Sequence, residues 1–365
     1  MNLWHHEIRL LLRSRIAVAS LLLLALLCVA SLVSGVQRIE SQREAIARIA
    51  VLHAEDAAAV SAAHGESTDA GRAAYYSFHP TWNPPAPLAF AAVGMRDVAP
   101  VMLRVRALGL EAQIHDGDAF NPELALAGRF DFAFLLTFLV PLFVIALMHD
   151  LRSSEMESGR EGVLRSLPMR MGGLYLRRTL VRLAVLWLCI AVPFTLASVS
   201  QSVSLLQIIA VLVLVVAYLL FWTGLCLLVA WRGWNSGVNA ATLASAWVVI
   251  ALIAPTVANV AIERGIPVEQ GASIARAQRE AVNHAWDIPR EETMRSFYSR
   301  YPEWSGSAPL GTEFHYKWYL AFHQNGDDHV APLAAQYRDG IERRSAAAST
   351  SVSYTHLTLP TKRIV

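Results

Sequence analysis

The chain has few charged residues and almost no lysine. Charged residues make up 16% of its 365 positions, and Lys317 and Lys362 are the only lysines among 31 basic residues. A Walker A loop, which holds the phosphates of ATP, needs a lysine preceded by glycine and followed by serine or threonine, and neither lysine has these neighbours. The motifs Gly-x-Ser-x-Gly of serine hydrolases and His-Glu-x-x-His of zinc proteases are also absent. We therefore expect no catalytic residues and no enzyme activity in this chain.

Cysteines and clustered metal ligands are scarce as well. Cys28, Cys189 and Cys226 all lie inside apolar stretches, where a thiol is usually a small packing residue. The four histidines between residues 284 and 329 have no cysteine or carboxylate at a spacing typical of a metal site. The net charge of +2 gives no indication of a nucleic-acid partner. We expect no metal site, no cofactor bound to this chain and no nucleic acid.

Long apolar runs dominate what remains. Hydrophobic residues make up 55% of the chain, and its mean hydropathy is +0.38. A bilayer core of about 30 Å requires about 20 helical residues to cross it. Five runs have this length, and they lie at residues 16–36, 130–148, 180–199, 205–231 and 238–262. The predicted fold class is mainly α, a polytopic α-helical membrane protein with helical segments outside the membrane.

Arginine positions predict the orientation of these spans. Arginines cluster in residues 1–15, in residues 149–178 and at Arg232 in the turn between the fourth and fifth runs. Short cytoplasmic loops collect Lys and Arg, so we expect these three regions and the N-terminus on the cytoplasmic side. Residues 37–129 and 263–351 are then two extracytoplasmic segments.

The leader before the first span has an amphipathic pattern. At helical spacing, Trp4, Ile8, Leu11 and Leu12 share one side, and Glu7 interrupts it. This pattern predicts a helix lying in the cytoplasmic membrane interface. An ordinary positively charged flank of the first span is the alternative.

The extracytoplasmic segments carry weaker signals. The first begins with an Ala-, Glu- and Arg-rich stretch that predicts a helical extension of the first span beyond the membrane. The second is rich in Trp, Tyr and Phe between residues 286 and 319. These aromatic residues indicate either the core of a small domain, which we favour, or a ligand surface or membrane-interface belt.

The end of the sequence has an unusual composition. Residues 352–361 resemble a translated sequencing-library adapter, and we therefore expect residues 352–365 to be non-native. A natural chain that continued past this point would have room for a sixth span. We expect the five spans visible here to belong to a set of six.

Residues 149–178, between the second and third spans, have the most ordered polar pattern in the chain. Acidic residues follow the membrane exit, a Gly-Arg-Glu-Gly stretch comes next, and Leu-Arg-Ser-Leu-Pro precedes an arginine-led span. We expect both glycines to interrupt the helix there and the proline to end it. The candidate residues are Asp150, Glu155, Glu157, Gly159, Arg160, Glu161, Leu164, Leu167 and Pro168. A solvated charged loop is the alternative interpretation.

This pattern resembles the cytoplasmic coupling region of ABC type 2 transporter permeases. Phe130-Asp131-Phe132 and Leu139-Val140-Pro141-Leu142, before and inside the second span, are similar to a version of that family with a large extracytoplasmic insertion of unknown function. The resemblance extends over residues 1 to about 350 and is sharpest at 121–182.

The resemblance implies a permease subunit, mostly of exporters, in the bacterial cytoplasmic (inner) membrane. Its partners would be a cytoplasmic ABC ATPase that carries ATP and Mg²⁺, a second permease copy or paralogue, and membrane lipids. The candidate residues of 149–178 would contact the ATPase, and the leader would be the interfacial helix. A membrane-anchored receptor or assembly protein of an envelope complex is the alternative, and the sequence indicates no substrate.

Overall fold

The computed structural model describes residues 3–65, 70–94, 102–116, 130–166, 171–269, 271–306 and 313–355. Within these ranges the chain is mainly α-helical, and five helical stretches are long and apolar enough to cross a membrane. The predicted fold class is therefore confirmed, and we treat the chain as a membrane protein. Each of the five predicted apolar runs lies mostly within one of these stretches.

The helices fall into two sets. The first set contains the leader helix and the five spans: α1 (Leu3–Arg13), α2 (Arg15–His64), α5 (Phe132–Phe134, π-helical Leu135–Leu139 and Val140–Met148), α8 (Met171–Ser200), α9 (Leu205–Ala230) and α10 (Ser236–Val248, π-helical Val249–Ile253 and Ala254–Gly265). The second set lies outside the spans: α3 (Ala70–Tyr76), α4 (Leu110–Asp116), α6 (Ser153–Glu157), α7 (Arg160–Ser166), α11 (Gly271–Ala285), α12 (Arg290–Arg300) and α13 (Tyr316–Thr355). Two short strands, β1 (His79–Trp82) and β2 (Met102–Val105), pair antiparallel with His79 opposite Val105.

The core of the spanning bundle is formed by α2, α5, α8 and α9. Leu24, Val144, Phe194 and Trp222 are fully buried there, one from each helix. Helix α10 packs at the edge against α5 and α9 and buries few of its side chains. Most of the surface of α10 is therefore available to lipid or to another chain.

Proline disrupts the second span in a way that two neighbouring helices compensate. Pro141 has no N–H, so the carbonyl of Thr137 loses its usual α-helical donor. The Tyr218 hydroxyl donates to this carbonyl at 2.7 Å, and the Trp247 indole donates to the next carbonyl, that of Phe138, at 3.0 Å. The π-helical turn of α5 is thereby attached to α9 and α10 by side-chain hydrogen bonds, as an apolar environment requires.

Helix α2 continues far past the first predicted span. Its first half is the first span, and residues 37–64, here called the stalk, extend without interruption to His64. The stalk contacts α3 and β1. The predicted helical extension is thus present.

The two polar segments outside the span bundle form one distal domain. Residues 70–82 and 102–116 supply α3, both strands and α4, and residues 271–355 supply α11, α12 and α13. Helix α13 packs against α3, α4, α11 and α12. The sequence suggested two separate segments, but their contacts make a single unit.

Aromatic side chains form the centre of this distal domain. Phe297, Trp318 and Phe322 are buried together with Val282 and Met294. Some aromatic residues of the second segment therefore form a domain core, as favoured above, whereas Trp286 and Phe314 are 50% and 51% exposed. The predicted non-native tail begins within α13, which is helical through Thr355, and residues 356–365 lie outside the described ranges.

One carboxylate links three helices of the distal domain. Asp327 of α13 accepts hydrogen bonds from the Leu110 amide of α4 at 2.8 Å and from the Gln278 side chain of α11 at 2.9 Å. Burial raises the pKa of Asp327 to about 6, although these two donors act to lower it. One turn away, burial, with a contribution from Arg106, lowers the pKa of His323 to about 4.

Two substitutions should therefore give opposite pH profiles for the stability of the distal domain. The contribution of Asp327 is complete below its unfolded pKa of 3.8 and is lost as the pH rises through about 6. The contribution of His323 is complete above its unfolded pKa of 6.5 and is lost as the pH falls through about 4. As the pH falls from about 7 to about 4, the distal domain of His323→Gln should become more stable relative to that of wild type. Over the same range the distal domain of Asp327→Asn should become less stable relative to wild type. Each change should be on the order of 2 kcal/mol. Thermal unfolding followed by near-ultraviolet circular dichroism measures the stability of each variant at each pH. Parallel pH profiles of the two variants would contradict the opposite pKa shifts of Asp327 and His323.

Candidate functional site

The candidate site lies on the side of the bundle where the chain begins. This N-terminal face carries α1, the described part of the 149–178 segment and the turn between α9 and α10. Two short helices, α6 and α7, lie in the segment, and α8 begins within it at Met171. Gly159 separates them with a φ of +69°, a backbone conformation that glycine adopts without steric cost. Gly162 lies inside α7, so the prediction that it interrupts the helix is wrong, whereas Gly159 does interrupt it.

Glu155 is the central residue of a charge network. Its carboxylate accepts from Arg160 Nε at 2.7 Å and from Arg178 Nη1 at 2.8 Å, and the side chain is buried. Arg178 Nε lies 3.3 Å from a carboxylate oxygen of Glu7, and Arg177 Nη2 lies 3.4 Å from the other. These five residues alternate in sign along the path α7, α6, α8 and α1. We call them the charge network.

Glu7 gives the leader helix its orientation. Glu7 is 5% exposed and Leu11 is 6% exposed, and the two face α8 and the bundle one turn apart. Trp4, Ile8 and Leu12 are exposed instead. The charge that interrupts the apolar side in the sequence is thus the inward anchor of α1, and the exposed apolar side chains suit lipid contact.

A second set of contacts joins the 149–178 segment to the fifth span. Glu157 Oε1 accepts from the backbone N–H of Ser236 at 2.6 Å, and the hydroxyls of Ser153 and Ser236 lie 2.9 Å apart. Ser236 begins α10, where a carboxylate interacts favourably with the unpaired N–H groups and the helix dipole. Arg152 donates to the carbonyl of Trp231 at 3.2 Å. The segment therefore touches the turn between the fourth and fifth spans as well as α1 and α8.

Helix α7 is held from within but is open on its outer side. Glu161 accepts from Arg165 at 2.8 Å and from Arg152 at 3.3 Å. None of the residues of α7 is buried, and Val163 is 65% exposed. Met156, at the end of α6, is also exposed. An ordered acidic and basic surface with exposed apolar side chains at its centre has the composition of a protein docking site.

The remaining predicted residues are placed as follows. Asp150 lies 3.5 Å from Arg182 of the third span and is partly exposed. Leu164 is half-buried, and Leu167 and Pro168 lie outside the described residues. The sequence interpretation missed Arg177, Arg178 and Ser236 as partners. Among the described residues, no group of three or more His, Cys, Asp or Glu side chains is placed to hold a metal ion.

Comparison with known proteins bears on the distal domain. Residues 272–353 match a family model described as a domain of unknown function, DUF3526. This stretch contains nearly all of α11 through α13 and less than a quarter of the chain. No curated protein and no solved structure matches the chain. The N-terminal face is therefore interpreted from its geometry.

Proposed function

We propose that the chain is the membrane-spanning permease subunit of an ATP-driven ABC type 2 transporter, an exporter of the bacterial cytoplasmic membrane. The observation that carries this proposal is the arrangement of residues 150–166. The inner side of this stretch is attached to α1, α8 and the start of α10, while α7 is exposed. A partner that moves α7 would therefore act on several membrane helices at once.

The source of energy is a separate chain in this proposal. Lys317 is buried in the distal domain, where its Nζ lies 5.8 Å from the centre of the Tyr298 ring, so it does not serve a phosphate loop. ATP and Mg²⁺ would bind to a cytoplasmic ABC ATPase that docks on α7. A second permease copy or paralogue would complete the translocation path. The chain itself would not be an enzyme.

The orientation in the proposal follows the arginines. The N-terminal face carries Arg9, Arg13, Arg152, Arg165 and Arg232, and short loops rich in arginine stay on the cytoplasmic side. The charge network and α7 would then face the cytoplasm, where ATP is available. The stalk and the distal domain would lie outside the cytoplasm.

A receptor or assembly protein of an envelope complex is the second candidate. The observation that favours it is the size of the distal domain, which is built from two segments and stands on a stalk of residues 37–64. This candidate requires no ATPase at the N-terminal face. Only the transporter proposal requires an ATPase to contact α7, so a measurement of this contact distinguishes the two functions.

The contact can be tested with apolar side chains that are exposed and outside the charge network. Met156→Asp combined with Val163→Asp should lower the amount of co-purified ATPase about tenfold, because truncating exposed apolar anchors at an interface costs about 1.4 kcal/mol or more. The chain is expressed with the ATPase encoded beside its gene and purified in nanodiscs. ATPase activity stimulated by the permease should fall in parallel.

The matched control carries the same pair of changes on the stalk. Val51 and Leu52 are 60% and 57% exposed there, and Val51→Asp with Leu52→Asp should leave co-purification at the wild-type level. Equal ATPase recovery and equal ATP turnover in both double variants would reject the transporter proposal in favour of the receptor.

A further inference from the structure

A cleft lies between the end of the stalk and the first part of the distal domain. Its volume is about 470 Å³, which is within the usual range for small-molecule sites. The stalk contributes His53 and His64, and the chain that follows α3 contributes Phe78 and His79. Arg104 of β2 completes the wall. The cleft is remote from the N-terminal face, and no function discussed above uses it.

Arg104 is the cationic side chain that lines the cleft. Three histidines and one carboxylate, that of Asp56, line it as well. Among the described residues, Arg104 has no carboxylate within ion-pairing distance, and its guanidinium carbon lies 3.9 Å from the centre of the Phe78 ring. Stacking occupies the face of a guanidinium and leaves the N–H groups at its edge available for an oxyanion. Arg104 is thus oriented by Phe78 before any ligand arrives.

His53 lines the cleft with its imidazole ring. Its ring meets that of His79 edge to face, with centroids 5.5 Å apart. His53 Nδ1 is shielded from solvent and makes no hydrogen bond within the described part of the chain. A ligand in the cleft would therefore contact the other atoms of the His53 ring.

Aromatic rings form the other side of the cleft. The His64 ring stacks on Tyr76, with centroids 4.9 Å apart and an interplanar angle of 19°. Val60 and two alanines of the stalk add apolar surface. A flat apolar group would find stacking and dispersion contacts here.

We propose that this cleft binds a small organic anion with a flat apolar or aromatic body and a phosphate or carboxylate group. The acid group is held by Arg104 and the imidazole of His53, and the body lies against Tyr76 and Val60. Arginine binds such oxyanions in pairs of parallel hydrogen bonds, which gives both affinity and orientation. This inference is independent of the transporter proposal, because a receptor could use the same cleft.

Phenyl phosphate is a suitable probe because it has both required parts. Isothermal titration of the full chain in lipid nanodiscs should show saturable binding, with empty nanodiscs as the blank. Benzoate should also bind, and inorganic phosphate should bind more weakly than phenyl phosphate because it lacks the apolar body. Absence of saturable phenyl phosphate binding, or tighter binding of inorganic phosphate, would overturn the proposal.

Variants locate the binding to the cleft. Arg104→Gln should weaken phenyl phosphate binding about tenfold or more, since a charge-assisted hydrogen-bond pair is lost. Val60→Trp should block the cleft and abolish binding without changing its charge. Arg72→Gln is the control, because Arg72 also lies over an aromatic ring, that of Tyr316 at 5.7 Å, but does not line the cleft.

Monitoring the folding of each variant distinguishes a loss of ligand binding from a loss of structure. Near-ultraviolet circular dichroism should report the same distal domain in all three variants. Wild-type affinity in Arg72→Gln together with loss in the other two supports the cleft. Equal affinities of Arg104→Gln and Arg72→Gln would show that phenyl phosphate binds elsewhere and would overturn the proposal.

Discussion

The substitution Glu7→Ala should release the leader helix from the bundle. Glu7 is 5% exposed and lies between Arg177 and Arg178, which are themselves mostly buried. Removing one member of a buried ion pair typically costs about 3 to 5 kcal/mol. Here Arg177 would lose its carboxylate, while Arg178 would keep Glu155. Leu11 is the other buried side chain among the described residues of α1, and burial of one leucine contributes about 2 kcal/mol. The loss therefore exceeds what the remaining contact supplies.

The release can be measured at Leu11 itself. A cysteine introduced there, Leu11→Cys, should react with a maleimide about a hundredfold faster when Glu7→Ala is also present, corresponding to about 3 kcal/mol. Glu7→Gln should have an intermediate effect, since it keeps one acceptor and the packing but loses the charge. His6→Ala on the exposed side of the same helix is the control and should leave the rate unchanged.

A double substitution tests whether the effect travels through the charge network. Glu7→Ala and Arg178→Ala share an ion pair, so their combined cost should be smaller than the sum of the two single costs. Strict additivity, or a maleimide rate in Glu7→Ala equal to that in His6→Ala, would show that α1 is held by other contacts.

The substitution Gly71→Ala should separate the two halves of the distal domain. A Cβ at this position would lie 2.3 Å from the carbonyl carbon and oxygen of Tyr316 and 2.5 Å from the backbone nitrogen of Lys317. These are backbone atoms at the start of α13 and cannot rotate away as a side chain can. Helix α3 must then move off α13, and overpacking of this kind costs about 3 kcal/mol.

The distal domain of this variant should unfold about 10 °C or more below that of wild type. Thermal unfolding followed by near-ultraviolet circular dichroism gives the midpoint. Gly162→Ala is the matched control, because nothing lies within 4 Å of the corresponding Cβ in α7. That change should be neutral or slightly stabilising, since alanine favours a helix by about 1 kcal/mol over glycine. Equal midpoints for the two variants would contradict the close contact between α3 and α13.

The sequence predicted the spanning helices because hydropathy is a local property. An apolar stretch such as Leu205–Ala230 can be identified as a membrane span from its own length and composition, without knowledge of any distant partner. Short elements are different: β1 contains Pro80 and has four residues, so its pairing with β2 depends on the fold around it rather than on its own pattern. Packing of the second polar segment against the first depends likewise on contacts between residues about 200 positions apart.

The candidate site was predictable in part for the same reason. Gly159 acts as expected, because a left-handed turn favours glycine wherever it occurs. Helix α7 accommodates Gly162, because the helix continues on both sides of this residue. Glu7 looked misplaced in the sequence because its partners, Arg177 and Arg178, are 170 residues away. A charged residue four positions from a buried leucine was the available signal, and it indicates an inward-facing ion pair.

Helix α2 has a mechanical consequence for the molecule. Its 50 residues contain no proline and span about 75 Å at 1.5 Å per residue. One end contacts α1 at the N-terminal face, and the other forms a wall of the cleft beside His53 and His64. A tilt of only about 5° about its first turn displaces its far end by about 6 Å, which is more than one helical turn in length. If the helix moves as a rigid rod, a small rotation of the first span would therefore produce a larger displacement of the distal domain.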